Sequence, residues 1–185
     1  YLHLHSPDAR DFSADIKGLL DGGQTVILDL GNATDEIRRY FADLLCEEIF
    51  HHQERKFVSN GLANHFVQLY FEEAHNLFPK NDNDFTDVYA RLAKEGAKFH
   101  LGIVYSTQSP STINKELLAQ TENFFVGHMS SQDETNVLAK LQVQFDGLQE
   151  DILHTRTQGF MRMITFSHRF AIPVQVNKFA AEPAR

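Results

Sequence analysis

Cysteine and long apolar runs are scarce in this chain of 185 residues. Its single cysteine, Cys46, excludes an internal disulfide and is typical of a buried thiol in a reducing cytoplasm. No apolar run approaches the roughly 20 residues that a membrane-spanning helix needs, and no signal peptide is evident. The sequence therefore predicts a cytoplasmic protein without a membrane partner.

The chain also has no excess of basic residues. The chain has 17 lysines and arginines against 25 aspartates and glutamates, which gives a formal net charge of −8. Bulk charge therefore does not favour nucleic-acid binding, although a ring-shaped assembly can still gather a few basic residues in its pore. The hydrophobic share of 42% and the length suit one globular domain with a core.

Short apolar runs alternate with stretches of helical periodicity. The predicted strands lie at 25–30, 66–71, 101–105, 124–126, 159–165 and 171–176. The predicted helices lie at 35–56, 85–95, 111–120 and 131–141. This alternation predicts an α/β fold with a mostly parallel sheet flanked by helices. Residues 1–23 form a poorly defined segment, and 180–185 are predicted to be a disordered tail.

Two adjacent carboxylates, Glu72 and Glu73, follow the predicted strand 66–71. The strand is apolar and aromatic, as expected where both faces of a parallel sheet are covered, and such sheets place their chemistry at the carboxyl ends of their strands. The next strand, 101–105, ends in a second polar tip that includes Gln108. Two acids can hold Mg²⁺ and polarise a water, which favours nucleotide hydrolysis. Capping of the following turn is the alternative for an isolated acid pair.

Three strings carry a family resemblance. They are FEEAHNLFP at 71–79, RLAKEGAKFHLGIVYSTQSPSTI at 91–113 and LLAQTENFFVGHMSSQDETNVLAKL at 117–141. In this order and spacing they resemble the C-terminal half of a HerA-type ATPase, of the HerA–FtsK superfamily of hexameric DNA-pumping motors. The resemblance covers residues 25 to about 178. It implies that 24–179 are the C-terminal part of a RecA-like P-loop ATPase core that is incomplete at its N-terminal side.

The resemblance also implies roles for three residues, with ATP and Mg²⁺ as cofactors. Glu72 matches the acid associated with Mg²⁺, where relatives usually carry Asp, and Glu73 matches the catalytic glutamate. Gln108 matches the glutamine that senses the γ-phosphate. The implied partners are further copies of the chain in a hexamer, duplex DNA, and a nuclease or effector protein in end processing or antiviral defence.

Two features depart from the family pattern. The chain has no G-x-x-x-x-G-K-[ST] motif, so the phosphate-binding segment is expected upstream, and this chain alone is not expected to bind ATP appreciably. Many relatives carry Gly-Arg before the sensor strand, and that arginine can act on a neighbouring subunit's nucleotide. This chain has Gly96-Ala97-Lys98 instead. The candidate trans-acting cations are therefore Lys98, Arg91, Arg156 and Arg162.

Other interpretations of single motifs stay open. Lys80 lies in a polar loop that is a candidate contact to the DNA backbone. His3 and His5 alternate on one strand face, which resembles the H-x-H of metal-dependent phosphoesterases of the PHP class. His75 lacks the spacing of a zinc-binding H-E-x-x-H and is expected to orient neighbouring carboxylates. A non-catalytic assembly or docking module is the remaining alternative.

Overall fold

Two compact units make up the protein in the computed structural model, which describes residues 12–31, 33–78 and 88–180, with only the backbone of Arg169. The first unit contains residues 12–31, 33–77 and 88–106. The second unit contains Phe78 and residues 107–180.

The first unit consists of three helices and a parallel pair of strands. In chain order these are α1 (Phe12–Asp21), α2 (Asp35–Val58), β1 (Val67–Phe71), α3 (Val88–Glu95) and β2 (Leu101–Tyr105). Short 3₁₀ turns follow β1 at Ala74–Asn76 and precede β2 at Gly96–Phe99. Val67 pairs with Leu101 and Phe71 with Tyr105, so both strands end at the same edge of the sheet.

Helix α2 is the longest element of this unit and carries clear start signals. The hydroxyl of Thr34 caps it by accepting a hydrogen bond from the Ile37 N–H at 3.4 Å, and two acids occupy its first turn. Inside the unit, the fully buried Gln53 donates from Nε2 to the Phe99 carbonyl at 3.2 Å. This contact fixes α2 to the turn that leads into β2. Cys46 is buried in α2, as predicted.

Ion pairs hold α1 against α2. Lys17 Nζ lies 2.6 Å from Glu48 Oε2, and the Asp21 carboxylate lies 2.8 Å from both His52 Nε2 and Lys56 Nζ. Burial acts to raise the pKa of the Asp21 carboxyl, but the hydrogen bonds from Lys56 and His52 outweigh it. The pKa of Asp21 therefore lies below its ordinary value, and the carboxylate stays charged for both partners.

The second unit consists of three helices and an antiparallel sheet. Its elements are α4 (Lys115–Ala119), β3 (Phe124–Val126), α5 (Gln132–Leu141), α6 (Gln149–His154), β4 (Phe160–Thr165) and β5 (His168–Gln175). The strand order is β3-β4-β5, with 3₁₀ turns at Pro110–Thr112 and Val143–Phe145. One face of the sheet packs on α5 and α6 through a core of Phe124, Val126, Leu138, Phe145, Ile152 and Ile164.

The predicted strand at 25–30 is wrong. The structure has no strand there, and the Ile27 side chain is 88% exposed. A β-branched run favours extended backbone, but a strand exists only where a neighbouring strand completes its hydrogen-bond ladder. None of the described strands pairs with this segment.

The prediction of a mostly parallel sheet is also wrong for the described residues. Of the five described strands, β1 and β2 are parallel, whereas β3, β4 and β5 are antiparallel. Only two residues separate β4 from β5, and so short a connection joins antiparallel strands, since a parallel crossover needs about a dozen residues or more. The α/β class itself is confirmed by the helices and the parallel pair.

Smaller differences concern helices. The predicted helix at 111–120 is instead the Pro110–Thr112 turn followed by α4, because Asn114 Oδ1 caps α4 by accepting from the Glu116 N–H at 2.7 Å. Helices α1 and α6 were not predicted.

The predictions for His3, His5, Lys80 and the tail at 181–185 lie outside the described residues. In the part of the chain that the structure describes, no helix combines the length and apolar character needed to cross a membrane.

Candidate active site

The carboxyl edge of the β1–β2 sheet carries the two predicted acids. Glu72 and Glu73 are exposed and directly follow β1, and Ala74, which begins the next 3₁₀ turn, is fully buried. Residues 72–75 are here called the acid turn. Glu73 has φ 50° and ψ 48°, a left-handed conformation that is uncommon for any residue but glycine. This conformation ends the strand alternation, so the two carboxylates are not forced to opposite faces of the sheet.

Ser106, the first residue after β2, contacts the acid turn and the strand end before it. Its N–H donates to the Phe71 carbonyl at 2.9 Å, and its carbonyl accepts from the Ala74 N–H at 2.9 Å. Its hydroxyl donates to Glu72 Oε2 at 2.6 Å. In the sequence, Ser106 is marked only as part of a polar strand tip. The register that brings residues 34 positions apart into contact could not be read from either segment alone.

His75 is the partner of the second acid. Its Nδ1 lies 3.4 Å from Glu73 Oε2, and the two side chains are 27% and 49% exposed. The structure thus brings His75 beside a neighbouring carboxylate, as its place in the sequence predicted. Each acid of the turn has a different partner: Glu72 has Ser106 from β2, and Glu73 has His75 from its own 3₁₀ turn.

Gln108 is an exposed residue of the second unit, whereas both acids belong to the first. The loop around it is held by side chains of its own unit. Thr107 Oγ1 accepts from the Ser109 N–H at 3.0 Å. The Glu134 carboxylate accepts from the Ser111 N–H at 2.7 Å and from its hydroxyl at 2.6 Å. The sequence placed Glu134 at the start of a helix and did not show that it anchors this loop. The sensor role of Gln108 stays a prediction.

Two candidate trans-acting cations lie against aromatic rings of the first unit. The Arg91 guanidinium stands 4.2 Å from the centre of the Phe50 ring, and its Nη2 lies 3.5 Å from Glu54 Oε1. Lys98 Nζ lies 5.0 Å from the centre of the Phe57 ring. Cation–π contacts of this kind stabilise both side chains in the fold.

The other two candidate cations lie in the second unit and differ sharply in exposure and in ion pairing. Arg162 is 3% exposed, and two of its nitrogens meet Asp151 Oδ2 at 2.6 and 2.8 Å. Its guanidinium is thus committed to an internal contact. Arg156 is exposed and forms no ion pair with another described residue. Lys80, the candidate DNA contact, lies outside the described residues.

The acid turn offers carboxylate oxygens as ligands for a metal ion. Nowhere in residues 12–31, 33–78 and 88–180 do three or more His, Cys, Asp or Glu side chains group closely enough to hold a metal ion. Mg²⁺ in nucleotide sites needs less from the protein, because one or two carboxylates act together with water and substrate phosphates. Glu72 and Glu73 supply exposed oxygen donors of that kind, so the acid turn fits Mg²⁺ bound with a nucleotide.

Comparison with known proteins found relatives that match only part of the chain. No family model matches the chain. The DNA double-strand break repair helicase HerA of Sulfurisphaera tokodaii is 33% identical over 88 residues, which cover 47% of the chain and 17% of that helicase. A probable helicase of Methanocaldococcus jannaschii is 28% identical over 131 residues, which cover 68% of the chain and 24% of that protein. The chain therefore spans about a quarter or less of these relatives.

Solved structures with a similar fold also match the chain. The genome packaging NTPase B204 of Sulfolobus turreted icosahedral virus 2, in complex with ATP-gammaS, superposes with a TM-score of 0.60 at 15% identity. The match covers 81% of the chain and 65% of that protein. HerA helicases from several archaea recur among the sequence relatives, and the fold is similar to that of this packaging NTPase. Over part of its length this chain is therefore similar to the HerA helicases, as its motifs predicted.

Proposed function

We propose that this chain is part of a Mg²⁺-dependent ATPase motor that translocates or remodels duplex DNA. The observation that carries the proposal is the acid turn, in which two exposed carboxylates stand at the carboxyl edge of a parallel strand pair. Ligand sites of α/β sheets lie at that edge. The relatives named as helicases and the fold shared with a packaging NTPase support the same class of function.

The two acids divide the work of hydrolysis. Glu73 orients the attacking water and takes its proton, with His75 beside its carboxylate. Glu72 keeps one oxygen on Ser106 and offers the other to the Mg²⁺ shell. When bound, Mg²⁺·ATP supplies the γ-phosphoryl group and the charge neutralisation on which its transfer depends. Gln108 is assigned the sensor role by resemblance alone.

The wider assembly belongs to the same proposal. Residues 24–179 form the C-terminal part of a RecA-like core, and another segment of the full-length protein supplies the phosphate-binding loop. The working form is a homo-oligomeric ring, a hexamer by resemblance, that acts beside a nuclease or effector in end processing or antiviral defence. Arg91, Lys98 and Arg156 remain candidates for the trans-acting cation. Arg162 does not, because it is buried against Asp151.

ATP hydrolysis by the full-length protein, with and without duplex DNA, tests this proposal. Glu73→Gln is expected to lower turnover at least about 100-fold while ATP binding is retained, because only the base is removed. Glu47→Gln is the matched control, since Glu47 is an exposed acid of α2. Turnover by Glu73→Gln at the wild-type rate would remove Glu73 from the base role. No turnover by the wild-type protein, with assembly intact, would favour the docking-module alternative.

A further inference from the structure

Ser106 forms two hydrogen bonds with the acid turn and a third with the strand end before it. We propose that Ser106 is a positioning residue for the Mg²⁺-nucleotide site, whose hydroxyl holds the Glu72 carboxylate in the orientation that Mg²⁺ requires. The inference rests on the proposed function, because it gives Glu72 the metal-associated role. It adds a residue that the motifs did not assign.

Two of the three bonds come from the Ser106 backbone. The N–H donates to the Phe71 carbonyl at 2.9 Å, and the carbonyl accepts from the Ala74 N–H at 2.9 Å. These bonds continue the parallel pairing beyond β1 and β2 and bracket Glu72 and Glu73. Any residue other than proline at position 106 could form them. The backbone bonds therefore hold the turn and the left-handed Glu73 whatever the side chain.

The third bond depends on the side chain alone. The Ser106 hydroxyl donates to Glu72 Oε2 at 2.6 Å, the short distance that is typical of a hydroxyl bound to a charged carboxylate. Glu72 is exposed, and a glutamate at the surface samples many rotamers unless something fixes it. With Oε2 occupied by Ser106, Oε1 of this exposed side chain is left for another ligand. The hydroxyl thus pre-organises one carboxylate oxygen for the metal shell.

This separation of roles makes the test specific. Ser106→Ala removes only the hydroxyl, so the turn should persist while Glu72 loses its orientation. Ser106→Thr keeps a hydroxyl on the same carbon. Ser59→Ala is the control, because it removes a hydroxyl that donates to the Arg55 and Lys56 carbonyls at the end of α2, away from the acid turn in the sequence.

The experiment uses the full-length protein and two readouts. The first is the Mg²⁺ concentration that gives half-maximal ATP hydrolysis. The second is the affinity for a fluorescent ATP analogue with Mg²⁺ and with EDTA, measured in a Glu73→Gln background that does not turn over. Ser106→Ala is expected to raise the required Mg²⁺ about tenfold and to weaken Mg²⁺-dependent binding similarly, as expected for one lost hydrogen bond to a charged group. Binding in EDTA and the thermal midpoint should not change.

Ser106→Thr is expected to restore Mg²⁺ dependence to near the wild-type value, and Ser59→Ala to leave it unchanged. A normal Mg²⁺ requirement in Ser106→Ala, while Glu73→Gln abolishes turnover, would overturn the role of Ser106 and leave the proposed function standing. A Thr variant as defective as the Ala variant would also overturn it, since the hydroxyl would then not be the cause. Absence of both turnover and nucleotide binding in the wild-type protein would instead remove the proposed function, and this inference with it.

Discussion

The Arg162 guanidinium is almost fully withdrawn from water, and one residue, Asp151, supplies its ion pair. Nε and Nη2 both contact Asp151 Oδ2, and Nη2 also donates to the Asp151 carbonyl at 2.9 Å. Nη1 is buried without a hydrogen-bond partner among the described residues. A buried cation of this kind depends on its one counter-charge, because removal of that charge leaves it unpaired. Arg162 is therefore a structural residue that joins β4 to α6.

Asp151→Asn should accordingly destabilise the second unit. We expect a loss of about 2 kcal/mol at neutral pH, below the usual cost of breaking a buried pair because the Asp151 side chain is 52% exposed. Hydrogen exchange of the β4 and α6 amides under native conditions measures this loss in the unit concerned. Glu150→Gln, in the same turn of α6, is the control and should change little, since Glu150 and its partner His154 are both largely exposed.

The same pair gives a pH dependence with a definite sign. The hydrogen bond from Arg162, assisted by that from Thr155, holds the pKa of the Asp151 carboxyl below its ordinary value. A carboxyl with a lowered pKa in the folded state stabilises above the unfolded pKa, about 4, and this stabilisation is lost as pH falls through the folded pKa. The difference between wild type and Asp151→Asn should therefore be constant near neutral pH and shrink below about pH 4. A difference that grows on acidification would contradict the ion pair.

At the scale of elements, the strands that carry the acid turn and the Ser106 tip could be predicted to within one residue. The runs at 66–71 and 101–105 are apolar, bounded by polar residues, and match β1 and β2 closely. The Ser106–Glu72 bond could not be predicted, because it arises from the pairing of segments 34 residues apart. The left-handed Glu73 could not be predicted either, because this conformation is uncommon for any residue but glycine. Local composition marks where a strand forms. It does not give the register that decides which side chains meet.

The segment at 25–30 shows the opposite case, in which composition predicts a strand that the fold does not complete. Ile27 is 88% exposed, whereas Ile49 in α2 of the same unit is 6% exposed. Ile27→Ala should therefore change the free energy of unfolding by less than about 0.5 kcal/mol, as is usual at the surface. Ile49→Ala, the matched buried change, should cost about 2–4 kcal/mol. Urea unfolding, monitored by hydrogen exchange of the amides of the first unit, compares the two variants. An equal loss of unfolding free energy in both would mean that 25–30 is paired in solution.

At the scale of the whole molecule, the candidate machinery is divided between units. The acid turn and Ser106 belong to the first unit, and Gln108 belongs to the second. In the sequence, however, Ser106 and Gln108 are only two residues apart, so the boundary between units falls within the polar tip of β2. The acids alone supply oxygen donors for a metal, but they do not supply cations or backbone N–H groups for phosphates.

This lack of phosphate-binding groups beside the metal-binding acids predicts how the 185-residue chain behaves by itself. Tight ATP binding in this class of fold needs a glycine-rich loop and a lysine on the phosphates, and the chain has no G-x-x-x-x-G-K-[ST] motif. With a net charge of −8 it also offers no general attraction for a polyanion. Titration of the isolated chain with a fluorescent ATP analogue and Mg²⁺ should therefore show no saturation up to about 1 mM. The full-length protein, measured in parallel, should saturate at far lower concentrations. Micromolar binding by the isolated chain that disappears in Glu72→Gln would mean that its own residues hold the phosphates, and the proposed need for a separate phosphate-binding segment would then be wrong.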